Sequence, residues 1–265
     1  MNTLAKKLNA TLGPAADFLS AEGKRMYFPY GGILGQGGEA KGCAINATIG
    51  MAFEEDGSPL VMDCFAKNAP LGRKAFLYAG SFGLPALREQ WRAMELKKNP
   101  SLKGVRASNP VVTNALTHGL RLAAELFADP KDELVTPDLF WDNYELIFQD
   151  AVGCKVRHFN TFKKGAFDAA ALKAALLAPG AKKILILNFP NNPTGYTATF
   201  ADAKRIVAAV KAAARAGKKI VVVLDDAYFG LVYEPGVHGE SLFADFATLH
   251  PNVLAVKLDG TTKED

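Results

Sequence analysis

Continuous apolar runs alternate with helical patterns over most of the chain. Residues 184–187, 220–224 and 253–256 are runs of aliphatic side chains, which is typical of strands buried on both faces of a sheet. Between the first two runs, residues 200–216 have the apolar spacing of a helix, and Gly217 follows as a helix-ending residue. Strands separated by helices indicate parallel pairing with helical crossovers. We therefore predict a doubly wound α/β fold, with a mostly parallel sheet and helices on both faces.

The same alternation extends upstream. Pro85 favours a helix start because proline is accepted in the first turn, and residues 114–128 repeat apolar positions with helical spacing. Short apolar runs at 133–135 and 145–148 each predict a buried strand, and the alanine- and leucine-rich segment 166–177 predicts a helix. We expect these elements to belong to the same sheet and its covering helices.

The first part of the chain has a different pattern. It is irregular and rich in glycine, with one short helical stretch near residues 15–19. Clustered glycines disfavour regular elements because they cost more conformational entropy to order. The change of pattern predicts two parts: residues 1–58 as an N-terminal arm with the start of a small domain, and residues 59–265 as a large domain.

Composition narrows the class of protein. The 265 residues are 49% hydrophobic and carry 31 basic against 27 acidic side chains, which excludes a disordered chain and gives no basic surface for nucleic acid. No apolar run reaches the roughly 18 residues of a membrane helix, and no signal peptide is evident. Cys43, Cys64 and Cys154 lie far apart and the histidines are scattered. We therefore expect a cytoplasmic protein without disulfides and without a metal, membrane or nucleic-acid partner.

Polar side chains follow each of the three continuous runs. Asn192 comes after the first run, in the segment Asn-Asn-Pro-Thr-Gly, and Lys263 follows the third. Asp225 and Tyr228 follow the second run. Each has an ordinary explanation, because Asn-Pro-Thr-Gly forms turns, aspartate caps helices and terminal lysines are solvated. In an open parallel sheet, however, the carboxyl ends of the strands line the ligand site, so the four side chains predict one shared site.

Together these residues resemble the class I and II aminotransferases, which are pyridoxal 5′-phosphate enzymes of fold-type I and of aspartate-aminotransferase type. The separations of 33 residues from Asn192 to Asp225 and 38 from Asp225 to Lys263 agree with that family. The resemblance implies that Lys263 joins the cofactor aldehyde and later shuttles the substrate proton, for which its amine must lose a proton. Lys257 is a rival, but it lacks the Gly-Thr-Thr segment that precedes Lys263.

The resemblance also implies which residues surround the cofactor ring. Asp225 pairs with the pyridine nitrogen and keeps it protonated, which makes the ring an electron acceptor. Asp226 is the alternative, but the family pattern Asp-x-Ala-Tyr favours Asp225. Tyr228 and Asn192 donate hydrogen bonds to the phenolic oxygen of the cofactor. Trp141 stacks on the ring, although a tryptophan is otherwise most often a core residue.

For the cofactor phosphate, the resemblance implies the helix start near residues 113–117, because backbone amides at a helix N-terminus bind anions. Ala115 and Leu116 stand where the family commonly has glycine and a hydroxyl residue, so the backbone contacts remain and a side-chain contact is lost. Gly260 likewise stands where a serine is usual, three residues before the lysine. Tyr78 matches a tyrosine that reaches the phosphate of a second subunit, which implies a homodimer.

Substrate contacts are implied for Gly50, Asn192 and Trp141. Gly50 ends the segment Asn-Ala-Thr-Ile-Gly and matches a glycine that lies against the substrate carboxylate. An ordinary turn before a strand is the alternative for this segment. The expected substrates are an amino acid and a 2-oxo acid.

The resemblance implies an aminotransferase, which moves an amino group between those two substrates. The same residues serve carbon–sulfur lyases, decarboxylases and synthases on this scaffold, and related cofactor-binding domains occur in regulators, so these stay alternatives. The chain ends two residues after Lys263, whereas the family continues with further strands and most of the small domain. We expect this stretch to be an inactive fragment of a large cofactor-binding domain, and the whole protein to be a homodimeric enzyme.

Overall fold

The computed structural model describes residues 2–19, 21–25, 27, 33–48, 52–58, 60–61, 63–68 and 80–264. The chain divides into two compact units, one made of Met1–Phe18 and Tyr27–Ser81 and the other of Leu19–Met26 and Phe82–Asp265. The expected roles of residues 1–58 and 59–265, as an arm with part of a small domain and as a large domain, stay predictions.

The first unit contains short helices within its described residues. Helix α1 (Thr3–Leu12) begins after Asn2, whose side-chain oxygen accepts a hydrogen bond of 2.8 Å from the amide of Leu4. Helices α3 (Ile33–Glu39) and α4 (Asp63–Asn68) follow, whereas α2 (Ala21–Arg25) belongs to the second unit. The helical stretch predicted near residues 15–19 is confirmed as a 3₁₀ helix (Gly13–Phe18), but the expectation that the rest of residues 1–58 is irregular is wrong for α1, α2 and α3.

The second unit contains a five-stranded parallel sheet. Its strands, together with a small antiparallel pair formed by β3 and β4, are β1 (Glu133–Pro137), β2 (Lys155–Phe159), β3 (Phe162–Lys163), β4 (Ala166–Phe167), β5 (Lys182–Asn188), β6 (Lys219–Asp225) and β7 (Val253–Leu258). Its longer helices are α5 (Pro85–Lys98), α6 (Ala115–Phe127), α7 (Ala169–Leu177) and α8 (Phe200–Arg215), and the short helices are α9 (Phe243–Ala247) and α10 (Thr261–Glu264). The strand order is β2-β1-β5-β6-β7.

Two apolar cores lie on opposite faces of this sheet. Alternate residues of β5 enter different cores: Leu185 packs with Leu176 of α7 and Ile206 of α8, whereas Ile184 packs with Leu120 of α6. Because both faces of the central strands are covered, their sequences are continuous apolar runs. The predicted α/β fold, with a mostly parallel sheet and helices on both faces, is confirmed. Among the described helices, none is long and apolar enough to cross a membrane.

The run 145–148 is helical, so the predicted strand there is wrong. It begins a π-helix, Glu145–Val152, whose buried residues Ile147, Phe148 and Ala151 face the core on one side. A short apolar run fits one face of a helix as well as a buried strand, and here packing against α6 decided the outcome. Strand β1 pairs with β5 on one side and with β2 on the other, and β2 is a partly exposed edge strand rich in basic residues that shows no apolar run.

The helix predicted over residues 166–177 is shorter than expected. Residues Ala166–Phe167 form β4, and α7 begins only at Ala169 because the side chain of Asp168 accepts a hydrogen bond of 2.9 Å from the amide of Ala171. The helices predicted from Pro85, over 114–128 and over 200–216 are confirmed as α5, α6 and α8.

The register of the sheet brings the ends of three strands to one level. Asn188, the last residue of β5, pairs with Asp225, the last residue of β6, and Asp225 pairs with Leu258, the last residue of β7. Since the strands are parallel, the segments that follow them leave the sheet at the same edge. This edge is where the predicted site residues meet.

Helix α6 starts close to this edge with an unusual backbone conformation. Its first residue, Ala115, has a φ of 62° and is one of two described residues other than glycine with positive φ. The left-handed region costs an L-residue with a Cβ atom about 1–2 kcal/mol. The helix start is therefore strained at a position that suits glycine.

Replacing Ala115 by glycine is expected to raise the free energy of unfolding by about 0.5–1 kcal/mol, because the relieved strain exceeds the added entropy of the unfolded chain. The control is Ala123→Gly in the interior of the same helix, which should lower the free energy of unfolding by about 1 kcal/mol. Denaturant unfolding measures both. Equal destabilisation by the two changes would mean that Ala115 has ordinary helical geometry.

Candidate active site

A cavity of about 190 Å³ lies at the carboxyl edge of the sheet. It collects every predicted site residue that the structure describes: Ala115, Leu116, Trp141, Asn192, Asp225, Tyr228 and Lys263. The other two predicted site residues, Gly50 and Tyr78, lie outside the described residues. Tyr144 and Asn188 also line the cavity and were not predicted. Side chains that lie far apart in the sequence thus line one cavity.

Asp225 is the buried acid of the cavity, with only 3% of its surface exposed. One carboxylate oxygen accepts a hydrogen bond of 2.6 Å from the hydroxyl of Tyr144, and the other accepts one of 3.2 Å from the amide of Ala227. Burial raises the pKa of Asp225 to about 6, and the charge of Asp226 acts in the same direction, whereas the two hydrogen bonds lower it. Because this carboxylate is removed from solvent, its ionised form is stabilised by a cation bound in the cavity.

Tyr144, like Asn188, is a site residue that was not predicted from the sequence. It precedes the π-helix, is 2% exposed, and packs edge-on against Trp141 with ring centroids 5.6 Å apart. Burial and the charge of Asp225 raise the pKa of Tyr144 well above its usual value, so the phenol keeps its proton and donates a hydrogen bond to the carboxylate. The available signal was the spacing of one helical turn between Trp141 and Tyr144, which the predicted strand over 145–148 concealed.

Two asparagines support the phenol of Tyr228. The side-chain oxygen of Asn188 accepts a hydrogen bond of 2.6 Å from the amide of Asn192, while its nitrogen donates one of 2.7 Å to the carbonyl of Asp225. Asn188 therefore joins the ends of β5 and β6. The side-chain nitrogen of Asn192 then donates to the hydroxyl of Tyr228 at 3.4 Å. Burial and the charge of Asp225 raise the pKa of Tyr228, which keeps this hydroxyl a donor.

Lys263 extends into the cavity from the short helix α10. Its Nζ lies 5.8 Å from the centre of the Tyr228 ring, and its side chain is exposed. The amine is thus on the same side of the cavity as the phenol. It can reach a small molecule placed between Tyr228 and Asp225.

Lys257, the rival lysine, is committed elsewhere. Its Nζ lies 3.1 Å from Glu95 and 3.3 Å from Asp226, and it also contacts Asp259. Burial lowers the pKa of Lys257, but the carboxylates outweigh burial and hold it above its usual range. Lys257 does not line the 190 Å³ cavity. A permanently charged lysine among three acids is a poor nucleophile, because only the neutral amine attacks a carbonyl.

The N-terminus of α6 faces the cavity through Ala115, Leu116 and Thr117. Amides in the first turn of a helix lack intrahelical partners and carry partial positive charge, so they bind anions. Around them, the hydroxyl of Thr113 donates to the carbonyl of Ala115 at 2.9 Å, and the amide of Asn114 donates to His118 Nδ1 at 3.0 Å. These bonds hold the turn that leads into the helix.

The cavity therefore offers partners for each end of pyridoxal phosphate. Asp225 suits a protonated pyridine nitrogen, Tyr228 and Asn192 suit the phenolic oxygen, and Lys263 suits the aldehyde. The helix N-terminus suits the phosphate. Among the residues that the structure describes, no cluster of histidine, cysteine or acidic side chains could hold a metal ion.

Comparison with known proteins gives consistent results. The family model of the class I and II aminotransferases matches residues 52–257. The chain is 28% identical over 172 residues to the mitochondrial aspartate aminotransferase of Dictyostelium discoideum, which covers 61% of this chain and 40% of that protein. It is 30% identical over 129 residues to the histidinol-phosphate aminotransferase of Moorella thermoacetica, covering 47% and 30%. The chain thus spans well under half the length of these curated relatives.

A crystal structure of an aminotransferase from Anaerococcus prevotii has the same fold, with a TM-score of 0.74 at 21% identity. The likeness covers 91% of this chain and 62% of that one. Class I and II aminotransferases depend on pyridoxal phosphate, the cofactor that the cavity fits. Since the family model matches most of the chain, the chain belongs to the class I and II aminotransferases.

Proposed function

We propose that this chain forms the cofactor site of an aminotransferase that moves an amino group from an amino acid to a 2-oxo acid. The observation that carries the proposal is the single cavity that holds Lys263, Asp225, Tyr228 and Asn192. Membership of the aminotransferase family and the names of the matched relatives support it. The substrate class is the one on which aminotransferases act.

When bound, pyridoxal phosphate supplies an aldehyde carbon for amines and a ring that accepts electrons from the substrate's α-carbon. Asp225 holds a proton on the pyridine nitrogen, and Tyr144 orients the carboxylate for this task. Tyr228 and Asn192 donate to the phenolic oxygen. Trp141 packs beside the ring, and the first amides of α6 bind the phosphate.

Lys263 holds the cofactor and moves the proton. Its Nζ would hold the cofactor at the aldehyde end, for which the amine must be neutral. While the substrate amine occupied the aldehyde, the free amine of Lys263 would accept the proton of the substrate's α-carbon and return it to the product. A flexible, exposed side chain at the rim of the cavity has the freedom for both steps.

The other proposed properties are a homodimer and a cytoplasmic location. The match of Tyr78 to a tyrosine that contacts a neighbouring subunit's phosphate supports the dimer, and Gly50 is proposed to lie beside the substrate carboxylate. The composition, with its scattered cysteines, supports the location.

Reduction with borohydride after addition of pyridoxal phosphate is expected to label Lys263, as mapped by peptide mass spectrometry. Lys263→Ala should lose the label, because the amine that reaches the aldehyde is gone. Lys204→Ala, at an exposed position of α8, is the matched control and should keep it. A label on Lys257 in the unaltered chain would refute the assignment.

The products separate the proposed reaction from its alternatives. A longer protein that contains this sequence, loaded with pyridoxal phosphate and given an amino acid, should release one 2-oxo acid for each amino group retained on the cofactor. Release of ammonia, sulfide or carbon dioxide instead would indicate a lyase or decarboxylase on the same scaffold. Cofactor binding without turnover of any amino acid would favour a regulator.

Tyr144→Phe is expected to move the pH midpoint of pyridoxal phosphate binding upward by about 1–2 units. The lost hydrogen bond favours the ionised carboxylate by about 1.5–3 kcal/mol, and each pKa unit corresponds to about 1.4 kcal/mol. Asp225 has a raised pKa of about 6, so it ionises as the pH rises through this range, and binding of a cationic ring strengthens with it. Titrations by absorbance at several pH values measure the midpoint.

The matched control for this change is Tyr196→Phe, whose hydroxyl donates to Asp202 at 2.6 Å outside the cavity. It should lower stability without moving the pH midpoint. An unchanged midpoint in Tyr144→Phe would show that Tyr144 does not set the ionisation of Asp225.

A further inference from the structure

We propose that two leucine–glycine contacts, Leu116 with Gly260 and Leu258 with Gly119, position the N-terminus of α6 relative to Lys263. We call these two contacts the clasp. Its proposed role is to set the span between the amides that bind the cofactor phosphate and the amine that binds its aldehyde. The inference rests on the proposed cofactor site and assigns positioning residues to it.

The two contacts are reciprocal. A Cβ atom built on Gly260 lies 2.8 Å from Cδ1 of Leu116, closer than side chains pack. A Cβ atom built on Gly119 lies 3.0 Å from Cδ2 of Leu258. Each segment thus contributes one leucine and receives the other in a place where it has no side chain. The helix contributes residues 116 and 119, one turn apart, whereas Leu258 is the last residue of β7 and Gly260 lies in the turn that follows it.

The backbone does not require glycine at either position. Neither Gly119 nor Gly260 has positive φ, whereas Gly153, for example, has a φ of 94°. Inside a helix, glycine destabilises by about 1 kcal/mol relative to alanine. Gly119 therefore lowers the intrinsic stability of α6, and what it offers in return is room for Leu258. Space for the partner leucine is the property that both glycines share.

The clasp joins the two walls of the cavity. Ala115 and Leu116, the first residues of α6, line the cavity, and so does Lys263, which follows Gly260 by three residues. The loop that carries Gly260 is anchored at the preceding residue, because Asp259 accepts a hydrogen bond of 3.0 Å from Trp91 Nε1 and contacts Lys257. A methyl group added at residue 260 therefore meets the side chain of Leu116, which must turn away or move together with the start of α6.

The size and rigidity of the ligand make this span matter. The phosphate and aldehyde of pyridoxal phosphate sit on one rigid ring, so both ends bind well only if the helix N-terminus and Lys263 are correctly separated. In a catalytic site, a misplacement of about 1 Å can lower the rate about a hundredfold. Pyridoxal, which lacks the phosphate, uses only the Lys263 end. Widening the clasp should weaken the phosphate form selectively.

The test compares pyridoxal phosphate with pyridoxal in Gly260→Ala and Gly119→Ala, using absorbance titration of the bound aldehyde. We expect the affinity for pyridoxal phosphate to fall about tenfold or more in each variant, with pyridoxal changed by less than about twofold. Gly239→Ala is the control, because a Cβ atom there meets nothing within 4 Å and the residue is exposed. It should alter neither affinity.

Shortening the opposing leucine provides a rescue. Leu116→Ala combined with Gly260→Ala should recover most of the lost preference for pyridoxal phosphate, because the added methyl group then has room. Equal weakening of both ligands, no weakening, or no recovery in the double variant would each overturn the positioning role. Failure of the unaltered chain to attach either aldehyde at Lys263 would instead refute the proposed function, so the two failures are distinguishable.

Discussion

The carboxylate of Asp225 is almost completely buried. It sits at the end of β6 between β5 and the edge strand β7, and it accepts hydrogen bonds from Tyr144 and from the amide of Ala227. These donors do not fully offset burial, since the pKa of Asp225 is raised to about 6. Near neutral pH the carboxylate is therefore mostly ionised, and a cation bound next to it would stabilise it. The proposed electron-accepting role of the cofactor depends on this anion. The hydroxyl of Tyr144 and the amide of Ala227 are also held in place by their hydrogen bonds to it.

The adjacent acids Asp225, the last residue of β6, and Asp226, in the turn that follows, lie in two different environments. Asp225 faces the cavity, whereas Asp226 points to a separate buried cluster with Lys257, Glu95 and Asp259. Burial, with a hydrogen bond and a charge from Asp259, raises the pKa of Glu95 to about 8, whereas the surrounding carboxylates raise the pKa of Lys257 and keep it a cation. Removing one partner of such a cluster leaves a buried charge uncompensated. The cluster thus holds the loop before Lys263 in place. It also binds Lys257, which is therefore not available as the amine that joins the cofactor.

The order of residues at strand ends was enough to locate the cavity, because parallel strands bring those ends to one edge whatever their helices do in detail. Tyr144 was not predicted as a site residue because its neighbours were interpreted as a strand, and periodicity cannot distinguish a short apolar run in a strand from one in a helix. Strand β2 was not predicted because an edge strand exposes one side and needs no apolar run. The contact of Leu116 with Gly260 could not be predicted, since their pairing depends on how closely α6 approaches the end of β7.

The two ends of the proposed cofactor site place different demands on the sequence. The ring end needs side chains of fixed chemistry, and there Asp225, Tyr228 and Lys263 agree with the family pattern. The phosphate end relies on backbone amides, which any residue can supply if the turn has the correct shape. Ala115 and Leu116 depart from the family pattern at that end, and Ala115 adopts the left-handed conformation despite its side chain. Where the backbone binds the ligand, the side chains do not need a particular chemistry, but they must pack so that the turn keeps its shape. The side chain of Leu116 fills the space beside Gly260, while its backbone amide stays available for the phosphate.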